Sequence, residues 1–391
     1  MSRHSDPNSR SRQDMKKKKK LRKPFKYIIA FIIIAILGVS VYGTYLYTKA
    51  KSSVSDAYED DGRDKSDLRD DYVDPKFDNV SILLMGIDEN DKRKEREIAR
   101  TDALILATLN KDDKSIKLMS IPRDSLVYIP KVQREDKINH AHAFGGTTAT
   151  IETVEQVLDI PVDYYLKVNF NAFVDVIDAI GGVEADVPYE FKESDSSDKR
   201  DNIHLFPGEQ LLDGEEALAF ARTRKKDSDV ERGKRQLELI NAVIDKSTSF
   251  KSVLKYDDII DGVGDNMSTN MTFTEMKSFF SYVTHGSKLD VERFTLEGHD
   301  YQPGSVYYWQ LDEEALYETK LRLKNHLEIL NDEEKDEYDL IEQREQEQEE
   351  AEESNGQDMN EQEQQQEDPY GDEGQPEEEN PVPDDGGEAT Y

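Results

Sequence analysis

The stretch "VSILLMGI", residues 80–87, is apolar almost throughout and carries no charge. A short continuous apolar run of this kind is typical of a strand that is buried on both faces of a sheet. Comparable runs follow at "ALILATL" (103–109) and "IKLMSI" (116–121), and "YYLKVNF" (164–170) is a fourth candidate strand. We therefore predict that these four segments form a central sheet.

Segments with helical periodicity alternate with the candidate strands and then follow them. A glycine pair ends the second of these segments, which is a common helix stop signal. Alternating strands and helices favour an α/β layer architecture, in which one sheet lies between helices. The candidate helices are 148–159, 171–182, 213–222, 229–247, 272–283 and 312–329.

The composition changes outside residues 76–330, which we predict to be the folded domain. Residues 48–75 are polar and aperiodic, as in a stalk between a membrane and a domain. Residues 331–391 are too polar to bury a core, and we expect this acidic tail to be disordered. The chain contains no cysteine, which excludes disulfides, zinc-thiolate sites and thiol nucleophiles.

Residues 27–47, "YIIAFIIIAILGVSVYGTYLY", form an uncharged segment. At about 1.5 Å per helical residue, its length spans the roughly 30 Å hydrocarbon core of a membrane. Residues 1–26 carry 11 basic and 2 acidic side chains, so we expect a single-pass protein with a cytoplasmic N-terminal tail and an extracellular C-terminal domain. The alternative is a cleaved signal peptide, but the apolar run is longer than usual and "YLYTKAKSS" is a poor cleavage site.

The formal net charge of −34 is distributed unevenly along the chain. Residues 1–26 contribute +9 and residues 331–391 contribute −24, which leaves −19 for the middle of the chain. An extracellular domain of net negative charge repels DNA. We therefore expect no nucleic-acid partner.

Two aspartates lie at predicted strand ends. Asp88 directly follows the first apolar run, and Asp102 directly precedes the second. If the two strands are antiparallel neighbours, both carboxylates lie at one sheet edge, where a cation must offset their repulsion. Oxygen ligation suits Mg²⁺, with Mn²⁺ as an alternative, because Mg²⁺ commonly takes one or two carboxylates plus substrate phosphates. The simpler interpretation is that Asp88 caps a turn and Asp102 pairs with Arg100.

The segment "SIPRDS" (120–125) ends the third candidate strand. Pro122 terminates the strand and places Arg123 in the following loop, where its guanidinium could bind a phosphate. The alternative, which the two residues alone favour, is a local ion pair between Arg123 and Asp124.

The segment "ARTRKKDSDVERGKRQ" (221–236) concentrates four arginines and three lysines in sixteen positions. In a helix that begins near Asp229, the side chains of Arg232, Arg235 and Gln236 lie on one face of the first two turns. The N-terminus of that helix adds a partial positive charge. This arrangement is suited to binding an anion.

Arg222 and Arg224 lie two positions apart on the segment before this helix, and in an extended conformation they point to the same side. Guanidinium groups bind phosphate oxygens with two hydrogen bonds each. The alternative is a solvated surface helix whose basic residues are neutralised by Asp227, Asp229 and Glu231. In an extracellular compartment, the fitting anion is a phosphorylated lipid or a cell-wall precursor.

His140 and His142 in "KINHAHAFGG" (137–146) could ligate a metal only on an extended segment, and no third ligand is evident. Packing or hydrogen bonding is the simpler role. The chain has no G-x-S-x-G, H-E-x-x-H or G-x-x-x-x-G-K-[ST] motif. Serine hydrolase, metalloprotease and P-loop NTPase activities therefore have no support.

The ordered motifs "NVSILLMGID", "RTDALILATLN", "LMSIPRDSLV", "KINHAHAFGG", "AIGGVEADVP", "FPGEQLLDGEEALAFARTR" and "DVERGKRQ" resemble the LytR-CpsA-Psr family of cell-wall enzymes of Gram-positive bacteria. The resemblance covers about residues 76–320. It implies an α/β fold, a three-layer α-β-α sandwich with a central mixed sheet and an apolar tunnel for a prenyl chain. The run "FNAFVDVIDAI" is a candidate tunnel wall.

The resemblance also implies an activity, namely transfer of a glycopolymer phosphate from an undecaprenyl pyrophosphate carrier to peptidoglycan. The polymer would be a teichoic acid or a capsule-like chain, and the enzyme a membrane-bound phosphotransferase. Phosphoryl transfer depends mainly on positioning and charge neutralisation, which arginines and a divalent ion supply. Two alternatives stay open, a prenyl pyrophosphate hydrolase and a non-catalytic regulator or scaffold at the cell wall.

Site roles follow from the same resemblance. Asp88 and Asp102 would hold Mg²⁺. Apart from the resemblance, the acceptor hydroxyl must lose a proton as it attacks, and Asp124 is a candidate base for it. The role of His140 and His142 stays open, because many family members have small or aromatic residues there. The residues that would bind the pyrophosphate are Arg123, Arg222, Arg224, Arg232 and Gln236, and Arg100, Arg235 and Asp229 fall within the same motifs.

Overall fold

The computed structural model of the protein describes residues 41–87, 100–247, 266–284 and 289–348. All four predicted strands are present, with bounds within two residues of the prediction. The strands of the described residues are β1 (Val80–Ile87), β2 (Thr101–Asn110), β3 (Ser115–Ser120), β4 (Leu126–Ile129), β5 (Arg134–Lys137), β6 (Tyr164–Asn169), β7 (Val183–Val187), β8 (Phe191–Glu193), β9 (Ile203–Leu205), β10 (Gly208–Leu212), β11 (Met267–Thr269), β12 (Asp290–Thr295), β13 (Gly298–Tyr301) and β14 (Tyr308–Leu311).

The six predicted helices are also present. One begins eight residues before its predicted start, because a shorter helical segment precedes it across a kink at Gly145 and Gly146, whose backbone angles are not helical. The helices described before residue 330 are α1 (41–57), α2 (His140–Leu158), α3 (Phe170–Ala179), α4 (Gly214–Arg222), α5 (Asp229–Ser247), α6 (Phe273–Thr284) and α7 (Glu313–His326).

The central sheet has six strands in the order β11-β6-β1-β2-β3-β12. β1 runs antiparallel to β2 and parallel to β6, and β3 runs antiparallel to β2 and parallel to β12. The sheet is therefore mixed. The antiparallel pairing of β1 and β2, on which the predicted carboxylate pair depends, is confirmed.

Side chains of the central strands alternate between two cores. In β1, Leu83 and Met85 pack into one core, whereas Ile82 and Leu84 pack into the other, as the twofold repeat of a strand requires. The first core is covered by α2 and α7, and the second by α5 and α6. This arrangement confirms the predicted α-β-α sandwich.

A third core lies among α3, α4 and the strands from β7 to β10. It includes Ile177 of α3, Phe220 of α4, Val183 of β7 and Leu212 of β10, and Leu239 of α5 joins it. Because α5 contributes to both this core and the face of the central sheet, the end of α4 and the start of α5 are held at the edge of the sandwich.

The structure corrects the stalk prediction for residues 48–75. Residues 41–57 are helical, and the chain after them pairs with the domain. Arg63 donates to Glu155 and to the carbonyl of Val162, and Arg69 forms an ion pair of 2.7 Å with Asp163. These charged residues look like a solvated linker in sequence because their partners lie about ninety positions away.

The acidic tail also differs from its prediction, because residues 332–348 are helical. Asn331 and Glu334 exchange two hydrogen bonds, from the Asn331 N–H to the Glu334 carboxylate and from the Glu334 N–H to the Asn331 side chain. This reciprocal arrangement caps a helix N-terminus. Residues 349–391 lie outside the described residues.

Residues 27–40, most of the predicted transmembrane segment, also lie outside the described residues. Among the parts of the chain that the structure does describe, no helix combines the length and the apolar character needed to cross a bilayer.

His326, at the end of α7, links this helix to the sheet. Its Nδ1 lies 2.8 Å from Thr108 Oγ1 and its Nε2 2.8 Å from Ser115 Oγ, while its carbonyl accepts from Asn110. Burial, assisted by the charge of Lys117, lowers the pKa of His326 to about 4. The neutral ring is therefore the form that the fold stabilises.

We predict that His326 makes stability depend on pH between its unfolded pKa of 6.5 and its folded pKa of about 4. In that range the unfolded chain binds the proton first, so the free energy of unfolding falls as the pH drops. Over this range wild type should lose up to about 3 kcal/mol more than His326→Gln, as urea unfolding at a series of pH values would measure. The exposed His204→Gln should follow wild type, and parallel curves for wild type and His326→Gln would contradict the prediction.

Candidate active site

The ends of three central strands meet at one edge of the sheet. Ile87, the last residue of β1, lies opposite Thr101, and Ser120 at the end of β3 lies opposite Ile105. Asp102 and Arg123 are brought together there and form an ion pair. Asp88, the other carboxylate of the predicted metal site, lies outside the described residues.

The arginine-rich segment reaches the same edge from the end of α4. Asp213 and Glu216 form a capping box at the start of this short helix, whose body is buried, so the exit at Arg222 is fixed. Arg224 follows in the connection, and α5 begins at Asp229. Arg232 lies one turn into α5 and is only 5% exposed.

Asp229 lies at the centre of a cluster of three guanidinium groups. Its Oδ1 is 2.7 Å from Arg232 Nη2, 3.5 Å from Arg123 Nε and 3.8 Å from Arg224 Nη1. Through Arg123 the cluster continues to Asp102. We refer to Asp102, Arg123, Arg224, Asp229 and Arg232 as the ion cluster.

The ion cluster is electropositive and partly desolvated. Burial lowers the pKa of Arg232 to about 10, Asp229 opposes this shift, and the charges of Arg123 and Arg224 add to it. A pKa of about 10 leaves Arg232 protonated at neutral pH. Three arginines thus share two carboxylates, and a net positive charge remains for an anionic ligand.

Several donors at this site lack a hydrogen-bond partner within the described residues. They are the buried Nε atoms of Arg123 and Arg232 and the buried Nη1 of Arg222. Arg222 packs its guanidinium over the ring of Phe170, 4.6 Å from the ring centroid. Arg123 Nε lies 3.5 Å from Asp229 Oδ1, and both carboxylate oxygens of Asp229 also lack a hydrogen bond. Buried polar groups are nearly always satisfied in proteins, so the ion cluster is a candidate ligand site.

A cavity of about 700 Å³ opens at these donors. Its polar end is lined by Asp102, Arg123, Arg222, Arg224, Arg232 and Gln236. Its remaining wall is mostly apolar and comes from β1, β6, α3 and α5. The predicted wall segment contributes Phe170, Ala172, Phe173, Val176 and Ile177.

Arg235 and Gln236 do not share the role of Arg232. Arg235 donates from Nε to the Phe220 carbonyl at 3.0 Å and from Nη2 to the Thr223 carbonyl, and its Nη1 pairs with Asp227. All three groups are thus used within the protein, and Arg235 is absent from the cavity lining as described. The expected single face for Arg232, Arg235 and Gln236 is therefore wrong for Arg235, because the carbonyls at the end of α4 capture its guanidinium.

Other predicted residues lie away from the cavity lining as the structure describes it. Arg100 is exposed just before β2. Asp124 is buried and pairs at 2.8 Å with Lys137, so the local pair with Arg123 is not formed. His140 Nδ1 lies 2.8 Å from the Asp136 carboxylate, which gives this histidine a local structural contact.

Sequence reasoning missed Lys225 and Lys137, and it placed Phe170 in the cavity wall without its contact to Arg222. Lys225 lines the cavity, Phe170 carries the guanidinium of Arg222, and Lys137 is the partner of Asp124. Lys225 lies within the basic segment and could have been included on that ground. The pairings of Phe170 and Lys137 carry no sequence signal, because each joins segments that only the fold brings together.

The model of the LytR_cpsA_psr family matches residues 44–325. The chain belongs to the LytR-CpsA-Psr family. One similar relative is TagT of Bacillus subtilis strain 168, a polyisoprenyl-teichoic acid–peptidoglycan teichoic acid transferase, with 40% identity over 320 residues that cover 81% of this chain and 98% of TagT. TagU of Bacillus licheniformis is 38% identical over 315 residues, which cover 80% of this chain and 98% of TagU.

Solved structures of the LytR-CpsA-Psr family have the same fold. "TagT bound to LIIa-WTA" has 42% identity and a TM-score of 0.57, and it covers 68% of this chain and 97% of that chain. TagT with bound octaprenyl pyrophosphate lipid has 38% identity and a TM-score of 0.54, with the same coverage. The predicted family and its α/β fold are therefore confirmed.

Gly233 controls how closely α5 approaches the sheet in this family member. A Cβ atom at this position would lie 2.5 Å from Ser120 Oγ and 3.3 Å from Ser120 Cβ. The adjacent residue is Arg232, so this close approach is what brings Arg232 to the end of β3.

We predict that Gly233→Ala lowers the free energy of unfolding by about 1 kcal/mol. Overpacking typically costs about 1–3 kcal/mol, which exceeds the roughly 1 kcal/mol that alanine gains over glycine within a helix. In a Ser120→Ala background the same change should be neutral or stabilising, because the obstructing hydroxyl is gone. Denaturant unfolding of wild type, Gly233→Ala, Ser120→Ala and the double variant measures the coupling between positions 233 and 120. A Gly233→Ala change that stabilises the wild-type protein would contradict the prediction.

We also predict that Arg235→Met destabilises the protein by several kcal/mol. It leaves two buried carbonyls without donors, each of which costs about 1–3 kcal/mol, and it leaves Asp227 without its cation. Lys234→Met, on the exposed neighbouring position, should change stability by no more than about 0.5 kcal/mol. Equal denaturation midpoints for the two variants would show that Arg235 does not hold the α4–α5 connection.

Proposed function

We propose that this protein transfers a teichoic acid or a related glycopolymer from an undecaprenyl pyrophosphate carrier to peptidoglycan. The observation that carries the proposal is the convergence of four guanidinium groups, three of them with a buried donor that has no hydrogen bond, at the polar end of a mostly apolar cavity. A lipid pyrophosphate has this same division into a charged head and an apolar chain.

The cavity suits the prenyl chain because its wall offers branched and aromatic side chains and few polar groups. A volume of about 700 Å³ lies within the range of natural ligand pockets, roughly 300–1,000 Å³. TagT, a relative at 38% identity in this comparison, has been solved with octaprenyl pyrophosphate lipid bound. A longer prenyl pyrophosphate is the corresponding ligand that we propose here.

The arginines suit the pyrophosphate because they supply charge and directed donors together. Arg123, Arg224 and Arg232 are held within 3.8 Å of one carboxylate, so they converge on one region without needing the ligand to assemble them. Preorganised donors of this kind stabilise the charge that develops in a phosphoryl-transfer transition state. Arg222 adds a fourth guanidinium at the same end of the cavity.

In the proposed reaction an acceptor hydroxyl oxygen bonds to the phosphorus that carries the polymer. The bond from that phosphorus to the bridging oxygen breaks, prenyl phosphate leaves with the bridging oxygen, and the hydroxyl proton is lost. Asp124 was a candidate for accepting this proton. Its ion pair with Lys137 and its place outside the cavity lining, as far as the structure describes that lining, make it a weaker candidate than the sequence suggests.

We keep Mg²⁺, or Mn²⁺, as part of the proposal. Asp102 fits this role in part, because its carboxylate faces the polar end of the cavity and its side chain is 32% exposed. Within the described residues no cluster of three acidic or histidine side chains could enclose an ion. Asp102 and Asp88 together with phosphate oxygens would supply the ligands, and the ion would add neutralising charge at the pyrophosphate.

We further propose that residues 27–47 anchor the protein in the cell membrane, with residues 1–26 in the cytoplasm and the catalytic domain outside. The support is the uncharged segment and the basic tail before it. This placement puts the enzyme on the same membrane face as its lipid-linked substrate and near peptidoglycan.

A transfer assay tests the proposed function. Label in the polymer of a lipid-linked precursor should move to peptidoglycan with wild type and should require a divalent cation. Arg224→Gln, at a half-exposed position, should reduce the rate by about 100-fold because one transition-state donor is lost. Lys234→Gln is the matched control on the exposed side of α5, and it should keep the wild-type rate.

The same assay separates the alternatives. Release of soluble labelled polymer whether or not peptidoglycan is present would indicate a hydrolase. No turnover by wild type, with or without Mg²⁺, would indicate a scaffold. Either result would overturn the transferase proposal.

A further inference from the structure

The central sheet presents two opposite edges, one where β1 and β6 end and one where they begin. The two parallel strands end at Ile87 and Asn169, on the side of the ion cluster. They begin at Val80 and Tyr164, and we refer to this side of the sheet as the basal edge. At about 3.3 Å per strand residue, the 8 residues of β1 separate the two edges by roughly 25 Å.

β11 and α6 bring a further part of the chain to the basal edge. β11 is antiparallel to β6, so it runs towards the edge at which β6 begins. Directly after β11, the side chain of Asn270 accepts from the Tyr165 N–H at 2.9 Å. α6 then begins at Phe273, and Glu275 accepts from the Tyr164 hydroxyl at 3.1 Å. The first turn of α6 therefore lies at the basal edge.

The helix α1 reaches this first turn of α6. The rings of Tyr47 and Phe273 meet edge to face, with their centroids 5.2 Å apart. Lys277 Nζ lies 5.8 Å from the ring centroid of Tyr47 and 5.6 Å from that of Phe273. Just beyond the other end of α1, the Glu59 N–H donates to the Thr269 carbonyl at 2.8 Å. α1 is therefore held to the domain at two points.

Tyr47 is also the last residue of the uncharged segment 27–47. About 20 helical residues span the hydrocarbon core, so the last residues of a segment that crosses the bilayer lie in the headgroup layer. Tyr42, Tyr45 and Tyr47 are all exposed. Tyrosine is enriched in the headgroup layer because its ring is apolar and its hydroxyl is polar. The contact between Tyr47 and Phe273 therefore brings the basal edge next to the bilayer.

Two further exposed aromatic side chains lie at the basal edge. Tyr72 is more than half exposed, and its hydroxyl donates to Glu275 in the first turn of α6. Phe77 is also more than half exposed and lies just before β1, with Lys76 Nζ 4.8 Å from its ring centroid. Exposed aromatic rings beside lysines suit a membrane surface, where the rings enter the headgroup layer and the ammonium groups meet lipid phosphates.

We propose that the basal edge rests on the outer surface of the membrane and that the contact between Tyr47 and Phe273 holds it there. The ion cluster then lies at the opposite edge and faces away from the membrane. This proposal rests on the proposed anchoring by residues 27–47, and it does not depend on the transfer reaction.

This orientation agrees with the polarity of the cavity. The polar end of the cavity lies at the ion cluster, and its apolar wall extends towards the basal edge as far as Leu84 of β1 and Leu166 of β6. A lipid in this cavity would point its prenyl chain towards the bilayer and its pyrophosphate away from it, as lipids do in the outer leaflet. The lipid would therefore enter without turning over, and its polymer would face the peptidoglycan.

Fluorescence quenching in vesicles tests the orientation with the full chain. The chain contains no cysteine, so each introduced cysteine carries a single dye. Thr274→Cys labels an exposed position in the first turn of α6, and Lys226→Cys labels an exposed position next to Lys225, which lines the cavity. The protein is reconstituted into vesicles of phosphatidylglycerol and phosphatidylethanolamine, with and without lipids that carry a nitroxide quencher on the headgroup.

We expect the dye at position 274 to lose about half of its fluorescence in the nitroxide vesicles, whereas the dye at position 226 keeps nearly all of it, because contact quenching does not extend over roughly 25 Å. Lys76→Cys, on the exposed turn before β1, is a second basal position. It serves if Thr274→Cys does not fold, which thermal unfolding of each labelled protein verifies.

The contact of Tyr47 is tested in the Thr274→Cys protein. Tyr47→Ala should reduce the quenching by about twofold, because the domain then moves relative to the bilayer. Tyr47→Phe keeps the ring and should be quenched like its parent. Tyr45→Ala is the matched control and should also be quenched like its parent, since Tyr45 is similarly exposed on α1 but its ring stacks on Tyr42 instead of on α6.

Equal quenching at positions 274 and 226, or stronger quenching at 226, would overturn the proposed orientation. Unchanged quenching in Tyr47→Ala would overturn the role of the contact with Phe273. Failure of the wild-type chain to float with vesicles in a density gradient is a distinct outcome, because it removes the proposed anchor and this inference with it. A protein that is oriented as proposed but transfers no polymer would remove the proposed activity alone, since quenching needs no turnover.

Discussion

Asp229 is one carboxylate in contact with three arginine side chains, and the site depends on it. Two like charges 4 Å apart repel by about 4 kcal/mol at the effective dielectric of a protein surface, so the guanidiniums cannot converge without an anion among them. Asp229 supplies this anion from within the chain, at 2.7 Å from Arg232 and within 3.8 Å of the other two. It leaves excess positive charge at the polar end of the cavity, which keeps the site assembled yet able to accept a further anion.

The surrounding packing positions Asp229 and its arginines. Gly233 lets α5 come into contact with Ser120 at the end of β3, and Arg235 holds the carbonyls at the end of α4. Gly233, next to Arg232, and Arg235, next to Gln236, thus act on opposite sides of the same helix. The charge-rich helix α5 becomes a rigid binding element because Arg235 binds backbone carbonyls of the protein instead of the ligand.

The cavity combines an apolar wall and a polar end in one ligand site. Its apolar wall is continuous with the second and third hydrophobic cores, since Ile177 and Leu239 belong to the third core and Ile105 and Ile240 to the second. Its polar end is the sheet edge, where backbone and charged groups remain near water.

The sequence by itself determined the elements and the residue types of the site. Buried strands such as 80–87 lack charged side chains, helices carry their own start and stop signals, and the motif order identifies the family, all of which are local properties. Only the tertiary structure decided which arginines face the cavity, because Arg232 and Arg235 differ by three positions and look alike in sequence. It also decided that Asp124 pairs with Lys137, and that residues 58–75, which read as a linker, pair with the domain. These side-chain pairings depend on residues from distant segments of the chain. A long-range ion pair produces no periodic pattern in the sequence, so it could not be predicted from it.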